Sequence, residues 1–133
     1  MATVMNDILD ACLTGIIAQE FTSTVNIHLF TNNITPAPTD TVGMYTDATF
    51  TSYSPQATTP FAAAAGGSGG TSSSAGTPCV FNPGVLSVPQ DCYGWYMVDV
   101  SGILIAADVF AGGPKNMGGT TVSLTITPTL SLT

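Results

Sequence analysis

The chain has 133 residues, a length that suits one domain and leaves no room for a second independent core. Hydrophobic residues make up 44% of it and charged residues 7%, with a net charge of −7 and Lys115 as the only Lys or Arg. Affinity for phosphate polymers comes from Lys and Arg displacing counterions, so this composition excludes nucleic acid as a partner, and an anionic membrane surface on the same ground.

With so few ions, the surface must draw its polarity from Thr, Ser, Asn and Gly, which suits extended strands and contacts with other proteins. The chain is read as a single domain over residues 1–133. Its N-terminus predicts an amphipathic helix: Val4, Ile8, Leu9, Cys12, Leu13, Ile16 and Ile17 recur at three- and four-residue spacing. Asn6, Asp7, Asp10 and Thr14 fall between them, and acids in the first turns suit the positive end of the helix dipole. Such a stripe covers a sheet or docks on a neighbouring subunit, which makes Ile8, Leu13 and Ile17 candidate interface residues. Residues 5–18 do not read as a secretory signal, because Asp7 and Asp10 interrupt them and no Lys or Arg precedes them. No run approaches the length needed to span a bilayer. Assembly in the cytoplasm is the expectation, with Cys12, Cys79 and Cys92 reduced and buried. A Cys79–Cys92 disulfide is the alternative.

Residues 25–31 alternate, with Val25, Ile27 and Leu29 facing one way and Asn26, His28 and Phe30 the other, which predicts a strand. Asn32-Asn33 and Ile34-Thr35-Pro36 then supply a turn and an extended exit. Residues 36–60 read as a long loop with one short strand at 48–53. Residues 62–77 are a Gly/Ser/Ala-rich low-complexity segment, expected to be flexible.

Residues 93–100 and 103–110 flank Ser101-Gly102, a two-residue connection of the kind hairpins use. In that register Val98, Val100, Ile103, Ile105, Ala107 and Val109 share a face assigned to the core. Trp95, Met97, Asp99, Leu104, Ala106 and Asp108 share the other. A face that mixes Trp and Met with two carboxylates fits a protein interface, so Trp95, Met97 and Leu104 join the candidates, with a second core layer as the alternative. After Gly112-Gly113-Pro114 a last strand is predicted at 120–127, with Val122, Leu124 and Ile126 inward. The predicted fold is mainly β (α+β), an antiparallel sandwich or barrel-like sheet with one N-terminal helix.

Chemistry is hard to find along this chain. His28 is the only histidine and sits in mid-strand, where packing explains it better than general-base work. The hairpin register sets Asp99 and Asp108 about 13 Å apart, counted at about 3.3 Å per residue. Paired glycosidase carboxylates stand roughly 5 to 9.5 Å apart. The run from Gly112 to Gly119 lacks the residue order of a phosphate-binding loop, the carboxylates lack EF-hand spacing, and the cysteines with one His lack zinc-site spacing. No catalytic residue, metal or cofactor is therefore assigned, and the chain is read as not an enzyme.

Four blocks together resemble a group of small structural proteins of tailed bacteriophages. They are His28-Leu29-Phe30-Thr31-Asn32-Asn33-Ile34-Thr35-Pro36, Asp47-Ala48-Thr49-Phe50-Thr51-Ser52-Tyr53, Tyr93-Gly94-Trp95-Tyr96-Met97-Val98-Asp99 and Thr127-Pro128-Thr129-Leu130. The resemblance implies a virion component, a head decoration or cement protein on the capsid exterior, and carries over no functional residues. Its implied partners are the major capsid or other virion proteins and further copies of itself, with trimers favoured by analogy. The alternative function is a tail- or fibre-associated module that binds a cell-surface glycan, with Tyr93, Trp95 and Tyr96 as stacking platforms.

Overall fold

The computed structural model describes residues 13, 15, 24–58 and 72–132. Those residues fall into two compact units, one made of 25–57 with 79–126 and the other of the remainder. The fold is mainly β, in antiparallel sheets, and no closed barrel forms among the described residues. Most of the predicted N-terminal helix lies outside them. Leu13 and Gly15 are helical, and Leu13 is buried.

The larger unit is built around β1 (Val25–Phe30), which has its predicted alternation and lies between two neighbours. The sheet order is β2-β1-β6-β7, with β2 at Gln56–Thr58, β6 at Gly94–Val98 and β7 at Leu104–Val109. Opposite partners in antiparallel strands share a face, so the register Ile27 to Met97 and His28 to Tyr96 sorts the side chains. Val25, Ile27, Leu29, Trp95 and Met97 lie on one face. His28, Phe30, Gly94, Tyr96 and Val98 lie on the other. Val25, Ile27, Leu29, Phe30 and Met97 are all at most 1% exposed. Each such side chain contributes about 1.5–3 kcal/mol relative to an exposed one. On the second face Phe30, Tyr45, Tyr96 and Val98 form a cluster, closed over by Ile34, Val42, Tyr93, Leu104 and Ala107.

The β6–β7 hairpin keeps the expected register from Gly94–Val109 to Met97–Ala106 and departs from it at the tip. Asp99 is the cause. Its carboxylate accepts the N–H groups of Ser101 at 2.8 Å and Ile103 at 2.7 Å, and its own N–H donates to the Ile103 carbonyl at 3.1 Å. The loop therefore holds Val100, Ser101 and Gly102, one residue longer than predicted, with Gly102 at φ +85. Pairing of Val98 with Leu104 leaves Ile105 as the extra residue of a bulge that restores the register. The core assignment of Val100 and Ile103 is thereby corrected, as they are 65% and 62% exposed; Val109 keeps its register opposite Gly94 but is also 43% exposed instead of core. Leu104 is turned onto the Val98 face, away from Trp95.

The remaining strands are short. β4 (Cys79–Phe81) pairs with β9 (Leu124–Ile126), and β5 (Gln90–Cys92) with β8 (Lys115–Met117). β8 lies inside the glycine-rich run from Gly112 to Gly119. The strand predicted at 120–127 shrinks to β9, and Val122 is 46% exposed instead of inward. The strand predicted at 48–53 is a turn, closed by Tyr53 N–H to the Phe50 carbonyl at 3.0 Å with Ser52 at φ 69. Chain pairing shifts to a single bridge between Phe30 and Asp47 and then to β2. In the other unit β3 (Ser72–Ala75) pairs with β10 (Thr129–Leu132). Of the sixteen residues in the segment expected to be flexible, the ten at 62–71 lie outside the described residues, and 72–75 is a strand. Its ladder is made of backbone groups, which small serines leave accessible, so no apolar pattern announces it.

Candidate functional site

The polar side chains converge at the centre of the large sheet. His28 on β1 lies opposite Tyr96 on β6, and their rings stack with centroids 4.7 Å apart. The 42–50 loop crosses this pair, held by Thr31 N–H to the Thr46 carbonyl at 2.8 Å and Ala48 N–H to the Leu29 carbonyl at 2.9 Å. Those two bonds set Asp47 over the strands. Its carboxylate lies 3.1 Å from His28 Nδ1 through both oxygens and accepts the Tyr96 hydroxyl at 2.7 Å. Tyr53 donates a longer bond to the same oxygen at 3.4 Å, while its own oxygen accepts the Leu29 N–H at 3.0 Å. Burial by itself raises the Asp47 pKa, but the hydrogen bonds from His28 and Tyr96 and the imidazole's charge outweigh it and hold the carboxyl below its usual range.

A carboxylate on Nδ1 orients an imidazole, as in hydrolytic triads, but that geometry serves catalysis only where the ring reaches a nucleophile. Among the described residues the hydrogen-bond partner of His28 is Asp47 alone. The imidazole, carboxylate and two phenols instead fasten a long loop to the sheet. Sequence reasoning missed Asp47, which sits in a loop 19 residues from His28 with no local pattern to link them.

The phenols carry a pH signature. Burial, then the bond to Asp40 and its charge, push Tyr45 up to about 12, and Tyr96 is raised by burial and then by Asp47. Tyr53 is raised too, mainly by burial, against the lowering effect of the Leu29 N–H. Each phenol binds its proton more tightly folded than unfolded, where tyrosines titrate near about 10. The phenols' contribution to stability is therefore full below about pH 10 and falls as pH rises beyond it, by up to about 1.4 kcal/mol per pH unit for each tyrosine. Urea midpoints between about pH 9 and about pH 11.5 should show this limb, made shallower by Tyr96→Phe. A flat profile in the native chain would contradict the arrangement.

Of the three interface residues predicted on the hairpin, Leu104 does not share the face of Trp95 and Met97. Trp95 is half-buried, Met97 is 0% exposed and spends its surface inside the core, and Leu104 lies on the opposite face. Leu13 is buried in the other unit, and Ile8 and Ile17 lie outside the described residues. Of the proposed glycan platforms, Tyr96 is 3% exposed and bonded to Asp47, so its face cannot stack on a sugar. Cys79 and Cys92 are buried and are not bridged to each other, and Cys92 is a free thiol. Among the described residues no group of three His, Cys, Asp or Glu could hold a metal, and no helix is long and apolar enough to cross a membrane.

Exposed apolar side chains lie elsewhere than expected. Val85 and Val88, in the loop between β4 and β5, are 85% and 78% exposed, and Met44 is 52% exposed; the hairpin tip is exposed as well, with Val100 at 65% and Ile103 at 62%. That tip and residues 40–43 line a groove of about 420 Å³. A second groove of about 320 Å³ runs between residues 36–40 and β7. Its wall is fixed by Asp40, which accepts the Tyr45 hydroxyl at 2.8 Å and the Ala37 N–H at 3.0 Å. Scans against protein families, characterised proteins and solved structures find no match to this chain.

Proposed function

We propose that the chain is a structural subunit that binds other proteins on the exterior of a phage capsid, as a decoration or cement protein. Its partners there are the major capsid or other virion proteins and further copies of itself. The observation that carries this reading is the placement of apolar surface. Eight large apolar side chains among the described residues are exposed, from Val80 at 42% to Val85 at 85%, on a chain with one Lys and no Arg. Apolar surface of this kind is stabilised by covering it with protein, and the acidic balance keeps the subunit off the packaged genome. A β-sandwich with the N-terminal stretch as a covering helix is the architecture we propose for the whole chain, supported by the helical, buried Leu13.

Capsids stripped of the protein should lose DNA on heating or osmotic shock on the order of tenfold faster, equivalent to about 1.4 kcal/mol. Adding the purified chain back should restore them. Unchanged loss, or particles imaged without the chain on their surface, would refute the role.

A further inference from the structure

Among the described residues the strand β7 ends the large sheet and is bonded on one side only, to β6. Phe110 N–H donates to the Tyr93 carbonyl, and the alternation of an antiparallel ladder then turns the backbone groups of Ala107 and Val109 away from β6. The Asp108 carboxylate takes the Val109 N–H at 2.8 Å. The amide groups of Ala107 face outward with no partner among the described residues. Next to them lies the groove of about 320 Å³, walled by Pro36, Pro38, Asp40 and Tyr45 and floored by residues 104–107. An edge with free main-chain groups and an adjoining pocket is what strand addition uses, the first for affinity and the second for choice of side chain.

Charge selects the occupant. Asp40 lines the groove and Asp108 lies near the end of the strand, while the chain's one Lys is Lys115. Pairing β7 with a second copy about Ala107 would set two Asp108 carboxylates roughly 7–8 Å apart, on the diagonal of the ladder. Like charges there oppose self-pairing, as acidic edges do generally. We infer that the β7 edge accepts an extended segment of a different protein, apolar at alternate positions and carrying Lys or Arg where it passes Asp40 and Asp108. This deepens the proposed role and rests on it only in taking the partner to be a protein.

Two acetylated peptides test it on the full chain, Lys-Thr-Val-Thr-Val-Thr-Lys and its twin with Glu for Lys. The cationic peptide should bind at least tenfold more tightly, slow exchange of the Ala107 amide at least tenfold, and weaken at least fivefold between about 0.05 M and about 0.5 M salt. Asp108→Lys should shrink or reverse the preference, and Ala107→Pro should abolish binding. Should Ala107→Pro not fold, Asp108→Lys decides. Equal affinity for the two peptides, binding that leaves Ala107 unprotected, or no binding of either would overturn the inference. Capsid association that survives in Asp108→Lys while peptide binding is lost would overturn it too, and leave the capsid role standing.

Discussion

Replacing Gly94 by alanine is expected to cost about 3 kcal/mol, although the same change in an ordinary strand stabilises by roughly 0.5–1 kcal/mol. The sign is reversed by what surrounds the position. A Cβ on Gly94 would collide with the Asp108 backbone carbonyl and lie 2.5 Å from Cζ and 2.7 Å from Cε1 of the Phe30 ring. Neither neighbour can retreat cheaply. The carbonyl belongs to the β6–β7 ladder, and Phe30 is 0% exposed with its ring edge-on to Tyr45 at 5.1 Å. Phe30 is also the cross-strand partner of Gly94, so the aromatic ring covers the glycine and replaces the packing it lacks. Urea unfolding of Gly94→Ala should show a midpoint lowered by about 1 M or more with little change in slope. A loss below about 0.5 kcal/mol would mean that the ring is free to shift and that the cluster is not held as described.

The same cluster shows which parts of this molecule can be read from sequence. The alternation of residues 25–31 was legible because one face of β1 is wholly apolar, and the centre of the hairpin was legible for the same reason. Its tip was not. Ser101-Gly102 serves a two-residue loop and the last part of a three-residue loop equally well. The choice is made by the side chain of Asp99, whose bonds to Ser101 and Ile103 exist only once the turn has closed. One residue of difference flips the side chains between the tip and the bulge at Ile105, which is why Val100 and Ile103 moved from core to surface. The strands of three residues at 79–81, 90–92, 115–117 and 124–126 are too short for a period of two to register. The candidate docking edge was illegible for a further reason: which strand ends a sheet is a property of topology, and β7 reads like any interior strand.

Asp47→Ala is expected to cost about 3 kcal/mol at neutral pH and Asp47→Asn about 2 kcal/mol, the difference being the hydrogen bonds an amide oxygen still accepts. The carboxylate serves three donors, and the Tyr96 hydroxyl, in a residue 3% exposed, would lose its partner outright. The Asp47 side chain is 42% exposed, so solvent screens part of its attraction to His28, and the loss comes mainly from the stranded phenol. The loop keeps its other ties, which limits the loss: Thr46 N–H still donates to Asn32 Oδ1 and Asn32 Nδ2 to the Met44 carbonyl, each at 2.8 Å. Because the folded chain holds the Asp47 pKa below its unfolded value near about 3.9, its contribution is complete above about pH 4 and disappears as pH falls through the folded pKa. Native protein should therefore lose stability on acidification below about pH 4, and Asp47→Asn should lose less over the same range. A double-mutant cycle with Tyr96→Phe should return a coupling of about 1 kcal/mol. Zero coupling, or an acid limb as steep in Asp47→Asn as in the native chain, would show that this carboxylate does not clamp the loop.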